Sequence, residues 1–73
     1  MNAATRILER SKKEWGERDV YHATSDELIT LCLGGAEPLF LNKNNGDGTF
    51  SHRVVYKGTV FATTSTYPIK LSC

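Results

Sequence analysis

The stretch 39–66 constrains the fold most. It holds three short runs rich in strand formers: Leu39-Phe40-Leu41-Asn42, then residues 50–56, then Thr59-Val60-Phe61-Ala62-Thr63-Thr64. Two turn signals separate them, the loop Asn44-Asn45-Gly46-Asp47-Gly48 and the dipeptide Lys57-Gly58. Runs of this length, with period-two alternation and Gly/Asn-rich breaks, predict an antiparallel meander of three strands. Gly58 is free to take positive φ, as a two-residue hairpin demands. In the second strand Phe50, His52, Val54 and Tyr56 share one face, while Ser51, Arg53, Val55 and Lys57 share the other. The first face is expected to be core and the second solvent. In the third strand Val60, Ala62 and Thr64 alternate with Thr59, Phe61 and Thr63. Phe61 is expected on the open face beside Arg53, Val55 and Lys57, making an aromatic and basic patch. Pro38 fits the first residue of a strand.

The residues ahead of this stretch read as its helical cover. Residues 2–15 predict a helix, with Asn2 as N-cap and Gly16 supplying the left-handed residue after the end. Ala4, Ile7, Leu8, Ser11 and Trp15 fall on one face. Trp15 is read as a core anchor on that face, with an exposed partner anchor as the alternative, since Trp is enriched at binding hot spots. The opposite face carries Arg6, Glu9, Arg10, Lys13 and Glu14, with Glu9 and Lys13 in the favourable i, i+4 order. Val20 and Tyr21 read as an extended link. Thr24 with Glu27 fits a capping box, and Asp26 and Glu27 sit where the helix dipole favours negative charge. A short second helix over 25–33 follows, stopped by Gly34-Gly35. Its run 29–33 is also compatible with a buried strand, because periodicity does not decide so short an apolar run. The tail Tyr67-Pro68-Ile69-Lys70-Leu71 either adds a short strand or drapes over the core. The expected core is Ile7, Leu8, Trp15, Leu28, Val54 and Tyr56. The fold class is therefore α+β: an N-terminal helix and a short second helix packed on a three-stranded antiparallel meander, in one domain spanning 1–73.

Size narrows the function classes. A chain of 73 residues buries only about 60% of its unfolded surface, which leaves little room for an enzyme-sized cleft with a supporting shell. The chain holds no nucleophile elbow, zinc-protease helix, phosphate loop or paired-cysteine motif, so it is expected not to be an enzyme. Cys32, Cys73, His22 and His52 have the count for a zinc site, but no two are close in sequence, and no metal or cofactor is expected. Two cysteines make no disulfide framework, and reduced thiols are expected. The loop 45–50 resembles a calcium loop, yet Lys43 and Val54 stand where ligand carboxylates belong, so it reads as a hairpin loop. Residues 39–50 also resemble one strand pair of a propeller repeat, of which a single copy makes no propeller. No run approaches the roughly 20 apolar residues of a membrane span, and Met1 to Arg6 is not followed by the apolar core of a secretory leader.

Charge is unevenly laid out along a chain of net charge +1. Residues 1–13 carry +3, residues 14–37 carry −5 and residues 38–73 carry +3. Blocks of opposite sign can steer a charged partner. A helix followed by three antiparallel strands also resembles the front of a double-stranded RNA-binding domain, without that family's closing basic helix.

Taken whole, by its size, ends and character, the chain resembles small bacteriophage-encoded regulators of host RNA polymerase. The resemblance carries no motif and transfers no residue role. It implies binding of host RNA polymerase in the cytoplasm of the infected bacterium, near the N-terminal region of the largest catalytic subunit and the RNA exit region; the scattered Cys and His positions add the expectation of a monomer. It implies inhibition of transcription initiation together with antitermination. On this reading the acidic residues Glu17, Asp19, Asp26 and Glu27 would meet a basic polymerase segment. Arg53, Lys57 and Phe61 would form a second surface with Phe61 as its apolar anchor. The alternatives are a small nucleic-acid-binding module and a stand-alone structural domain.

Overall fold

The computed structural model describes residues 2–70 and consists of two helices on one side of a four-stranded sheet. Helix α1 spans Ala3–Trp15, strand β1 Val20–His22, helix α2 Ser25–Leu33, and strands β2, β3 and β4 span Glu37–Asn44, Phe50–Tyr56 and Thr59–Ser65. The strand order is β1-β4-β3-β2. β2, β3 and β4 form the expected antiparallel meander. The sheet is mixed, however, because the segment expected to be a link is strand β1, parallel to β4 at its edge. No helix among the described residues is long and apolar enough to cross a membrane.

Local chemistry sets both helices. Asn2 Oδ1 accepts the Thr5 N–H at 2.8 Å, and Gly16, at φ +75°, ends α1 with its N–H on the Lys12 carbonyl. At α2 the capping box is complete: Thr24 Oγ1 accepts the Glu27 N–H, and Glu27 Oε1 accepts the Thr24 N–H. The run 29–33 is therefore helix. Its end is a Schellman closure, in which the Gly35 N–H bonds the Cys32 carbonyl and the Ala36 N–H bonds the Leu31 carbonyl, with Gly35 at φ +105°. Gly34 serves a different purpose. Its φ suits any residue, but a Cβ there would stand 2.5 Å from the Ala4 Cβ, so its missing side chain lets α1 and α2 approach.

The core joins Ala4, Ile7 and Leu8 of α1 and Leu28 and Leu31 of α2 to Tyr21, Val54, Tyr56 and Phe61 of the sheet. Trp15 is not in it. The burial along α1 stops at Ser11, every residue from Lys12 to Val20 is exposed, and the Trp15 side chain is 57% exposed at the helix end. The last turn overhangs the core, so the residue that shares the apolar face by angle reaches only a shallow hollow beside Val20, Tyr21 and His22.

Phe61 requires the opposite correction. The hairpin Lys57-Gly58 has positive φ at both residues, a type I′ geometry that sets Tyr56 opposite Thr59. Counting outward, Val54 stands opposite Phe61 and Arg53 opposite Ala62. Directly opposed residues share a face, so Phe61 joins Val54 in the core, wholly buried, with its ring 5.7 Å from that of Tyr21. Val60 and Ala62 take the other face.

β2 is irregular. Its pairing with β3 shifts between Pro38 and Phe40 and again between Phe40 and Lys43, and Asn42 adopts φ +62°. Pro38 is its second residue, not its first. The distortion lets Asn42 serve buried groups. Its N–H donates to His52 Nδ1, and its side-chain amide exchanges two bonds with the Ile69 backbone. With Nδ1 accepting, Nε2 carries the proton and donates to Ser65 Oγ, which donates to the Tyr67 carbonyl. The tail thus drapes over the sheet's end, burying Ile69. The expectation for Cys73 lies outside the described residues.

Candidate functional site

Both helices cover one face of the sheet, and the other face is open. Strand register assigns its side chains to rows running across the strands. One row is Glu37, Val55, Val60 and Val20, from β2 to β1. The next is Phe40, Arg53, Ala62 and His22. A third begins with Lys43, Ser51 and Thr64. Four strands at a spacing of ~4.8 Å make each full row roughly 14 Å long. An apolar band thus lies against a band that is aromatic and basic, on a surface no element of the described chain packs upon.

Phe40 is the aromatic centre of this face. Lys43 Nζ lies 5.4 Å and the Arg53 guanidinium carbon 5.9 Å from its ring centroid, within cation–π range. The patch expected around Phe61 therefore exists with a different aromatic. A tally of one strand pair would not find Phe40, since the β2 bulge decides which of its residues meet Arg53. Lys57 does not join the patch. As a hairpin residue at φ +50° it leans back over the Tyr56 ring, its Nζ 5.4 Å from the centroid. Tyr56 belongs to the helix-covered face, where its hydroxyl meets Thr5 Oγ1 at 3.1 Å.

The acidic residues are split between the two ends of β1. Glu17 and Asp19 precede it and line a shallow hollow of about 230 Å³ with Lys12, Arg18, Tyr21, Gly58 and Thr59. Opposite charges therefore mix within that hollow. Asp26 and Glu27 follow β1 in the first turn of α2. Glu27 is already engaged, capping Thr24 and pairing with Arg10. Partial burial pushes its carboxyl upward, but the Thr24 N–H and the Arg10 guanidinium outweigh this and hold it below the usual range. Asp26 is the exposed carboxylate of that turn.

The loop from α1 to β1 is fixed by one side chain. The Tyr21 hydroxyl donates to the Gly16 carbonyl at 2.5 Å and accepts the Arg18 N–H at 3.1 Å. Arg18 Nε–H in turn donates to the Trp15 carbonyl. Trp15, Arg18, Val20, Tyr21 and His22 line a hollow of about 100 Å³ beside the free edge of β1.

His52 is fully buried, and burial lowers its pKa. It accepts and donates within a closed network, so it serves packing. Among the described residues no three His, Cys, Asp or Glu side chains cluster as metal ligands. No protein family, no curated protein and no solved structure matches this chain.

Proposed function

We propose that this chain is a non-catalytic module that binds bacterial RNA polymerase in the host cytoplasm, inhibiting initiation and promoting antitermination. The partner comes from the whole-chain resemblance to phage regulators of polymerase. The observation that carries macromolecular binding is the uncovered sheet face, with the valine row beside the Phe40–Arg53 row. A flat apolar band rimmed by charge suits a protein surface: the apolar centre supplies affinity, and the charged rim supplies steering and register. The contact proposed on the polymerase is near the N-terminus of its largest catalytic subunit, beside the RNA exit region. Asp26, Glu17 and Asp19 supply the acidic side of the contact, and Arg53 and Lys43 the basic side.

Phe40 between two cations also favours a second reading, in which single-stranded nucleic acid lies on the same face by stacking and phosphate contact. Charge reversal separates the two. Arg53→Glu with Lys43→Glu, and separately Asp26→Lys with Asp19→Lys, are titrated against purified host polymerase and against free RNA and DNA. The polymerase reading expects wild type to bind the enzyme, with affinity falling as salt rises, and both pairs to weaken it. Binding to nucleic acid alone at physiological salt, lost with the basic pair and strengthened with the acidic pair reversed, refutes it.

A further inference from the structure

His52 is wholly buried, and its two ring nitrogens hold opposite roles. Nδ1 lies 2.9 Å from the Asn42 backbone nitrogen, which only donates, so Nδ1 is unprotonated. Nε2 carries the ring proton and donates to Ser65 Oγ at 2.7 Å, because that hydroxyl donates its own proton to the Tyr67 carbonyl at 2.6 Å. Asn42 also grips the tail. Its Nδ2 donates to the Ile69 carbonyl at 2.9 Å, and its Oδ1 accepts the Ile69 N–H at 2.7 Å. Ile69 is buried by this clasp. One residue at φ +62° therefore joins β2, the imidazole and the tail, inside the irregular stretch that sets Phe40 opposite Arg53.

A second ring proton has no acceptor. It would aim Nδ1–H at the Asn42 N–H, donor against donor. No carboxylate among the described residues pairs with this ring. β4 has no titratable side chain, β2 offers Glu37 and Lys43, and the tail Tyr67 and Lys70, all exposed. Arg53 of the same strand is exposed on the other face. From α2, the helix packed on β3, come exposed Asp26, Glu27 held by Thr24 and Arg10, and Cys32 against the core. α1 meets β3 through Thr5 at Tyr56, toward the strand's other end. An imidazolium here must gain an acceptor or water, since an isolated buried charge is very costly. Towards the sheet its neighbours are closed, with Val54 and Phe61 wholly buried. The tail is the wall that yields, because a terminal segment held by a few bonds opens at far lower cost than core strands.

We propose that His52 is an acid-sensitive latch that holds the tail to β2. Protonation at Nδ1 breaks the bond to Asn42, opens the Asn42–Ile69 clasp and releases residues 67–70 while the helix-covered core stays folded. The β2 distortion relaxes in the same event, and Phe40 loses its fixed place beside Arg53 and Lys43. The aromatic and basic row is thus assembled while His52 is neutral and loosened when the proton arrives. Burial lowers the pKa of His52, so the latch is closed at neutral pH and opens below the ordinary histidine range near 6.5. It operates whatever the open face binds.

The test follows the full chain by NMR as pH falls from neutral through the histidine range. The Asn42 and Ile69 amides and the Phe40 ring are expected to shift with the midpoint of the His52 ring. Exchange of the Ile69 amide, corrected for its intrinsic pH dependence, is expected to speed by roughly tenfold or more, while the Val54 and Phe61 amides keep their protection. His52→Gln should abolish this midpoint, and His22→Gln, on the open face, should keep it. Asn42→Gly retains the positive φ and the N–H to His52 but lacks the clasp, so its tail should be released at every pH. Tail amides that ignore the His52 titration overturn the latch. So does loss of protection at Val54 and Phe61 with that same midpoint, which is global unfolding, and so does a tail transition that persists in His52→Gln. Should His52→Gln fail to fold, the wild-type titration and Asn42→Gly decide, and an Asn42→Gly tail that stays protected at neutral pH overturns the clasp.

Discussion

Replacing Phe61 by alanine tests the face assignment most directly, because the alternation of its strand alone leaves its side undecided and the register makes it core. Phe61 is wholly buried and stacks at a tilt on Tyr21, with centroids 5.7 Å apart. A buried Phe→Ala costs about 3–5 kcal/mol, the transfer term plus the cavity left behind. At about 0.05–0.15 kcal/mol per residue, a chain of 73 residues is stable by on the order of 4–11 kcal/mol, and small domains sit low in such a range. The substitution therefore removes most of the folding free energy. A loss of about 4 kcal/mol shifts the unfolding equilibrium about a thousandfold. The damage is expected to spread to β1, since Tyr21 loses its ring partner and its hydroxyl is what holds the 16–21 loop. Urea unfolding followed by circular dichroism reads the effect, with Arg53→Ala on the open face as the control, expected within about 0.5 kcal/mol of wild type. A Phe61→Ala midpoint that costs less than about 1 kcal/mol, or one matching Arg53→Ala, refutes the register argument and returns Phe61 to the open face.

Gly34→Ala is expected to cost about 1–3 kcal/mol by overpacking, because its Cβ would meet the Ala4 Cβ at 2.5 Å; adding Ala4→Gly should recover part of the loss in thermal melts, and no recovery would place the cost elsewhere. Thr24→Ala should cost about 1 kcal/mol through the lost cap, read from the same melts. Stability should fall on acidification through the unfolded-state histidine range near pH 6.5. Burial depresses the folded pKa of His52, so the unfolded chain binds more protons there, and stability rises with pH across that window. His52→Gln should flatten this dependence, and an unchanged pH profile in that variant would exclude His52 as its source.

The sequence by itself determined the elements whose reasons are local. Asn2, Gly16, Thr24, Glu27 and the Gly34-Gly35 pair mark helix ends because caps are satisfied within a few residues along the chain. The Lys57-Gly58 hairpin and the buried face of β3 follow for the same reason. Phe61 was legible too, since a two-residue turn fixes the parity of the strand after it; strand alternation without that count leaves its face undecided. What only the tertiary structure decided was every relation set across distant parts of the chain. β1 became a strand because β4 offers it a parallel edge, which a three-residue segment does not signal alone. Trp15 shares the apolar angle of α1 but lies past the end of the surface the helix covers. Phe40 meets Arg53 and Lys43 because the β2 distortion around Asn42, tied to His52 and Ile69, re-aims that strand. Helix ends and tight turns are read within a few residues, whereas sheet edges, overhangs and bulges depend on partners tens of residues away.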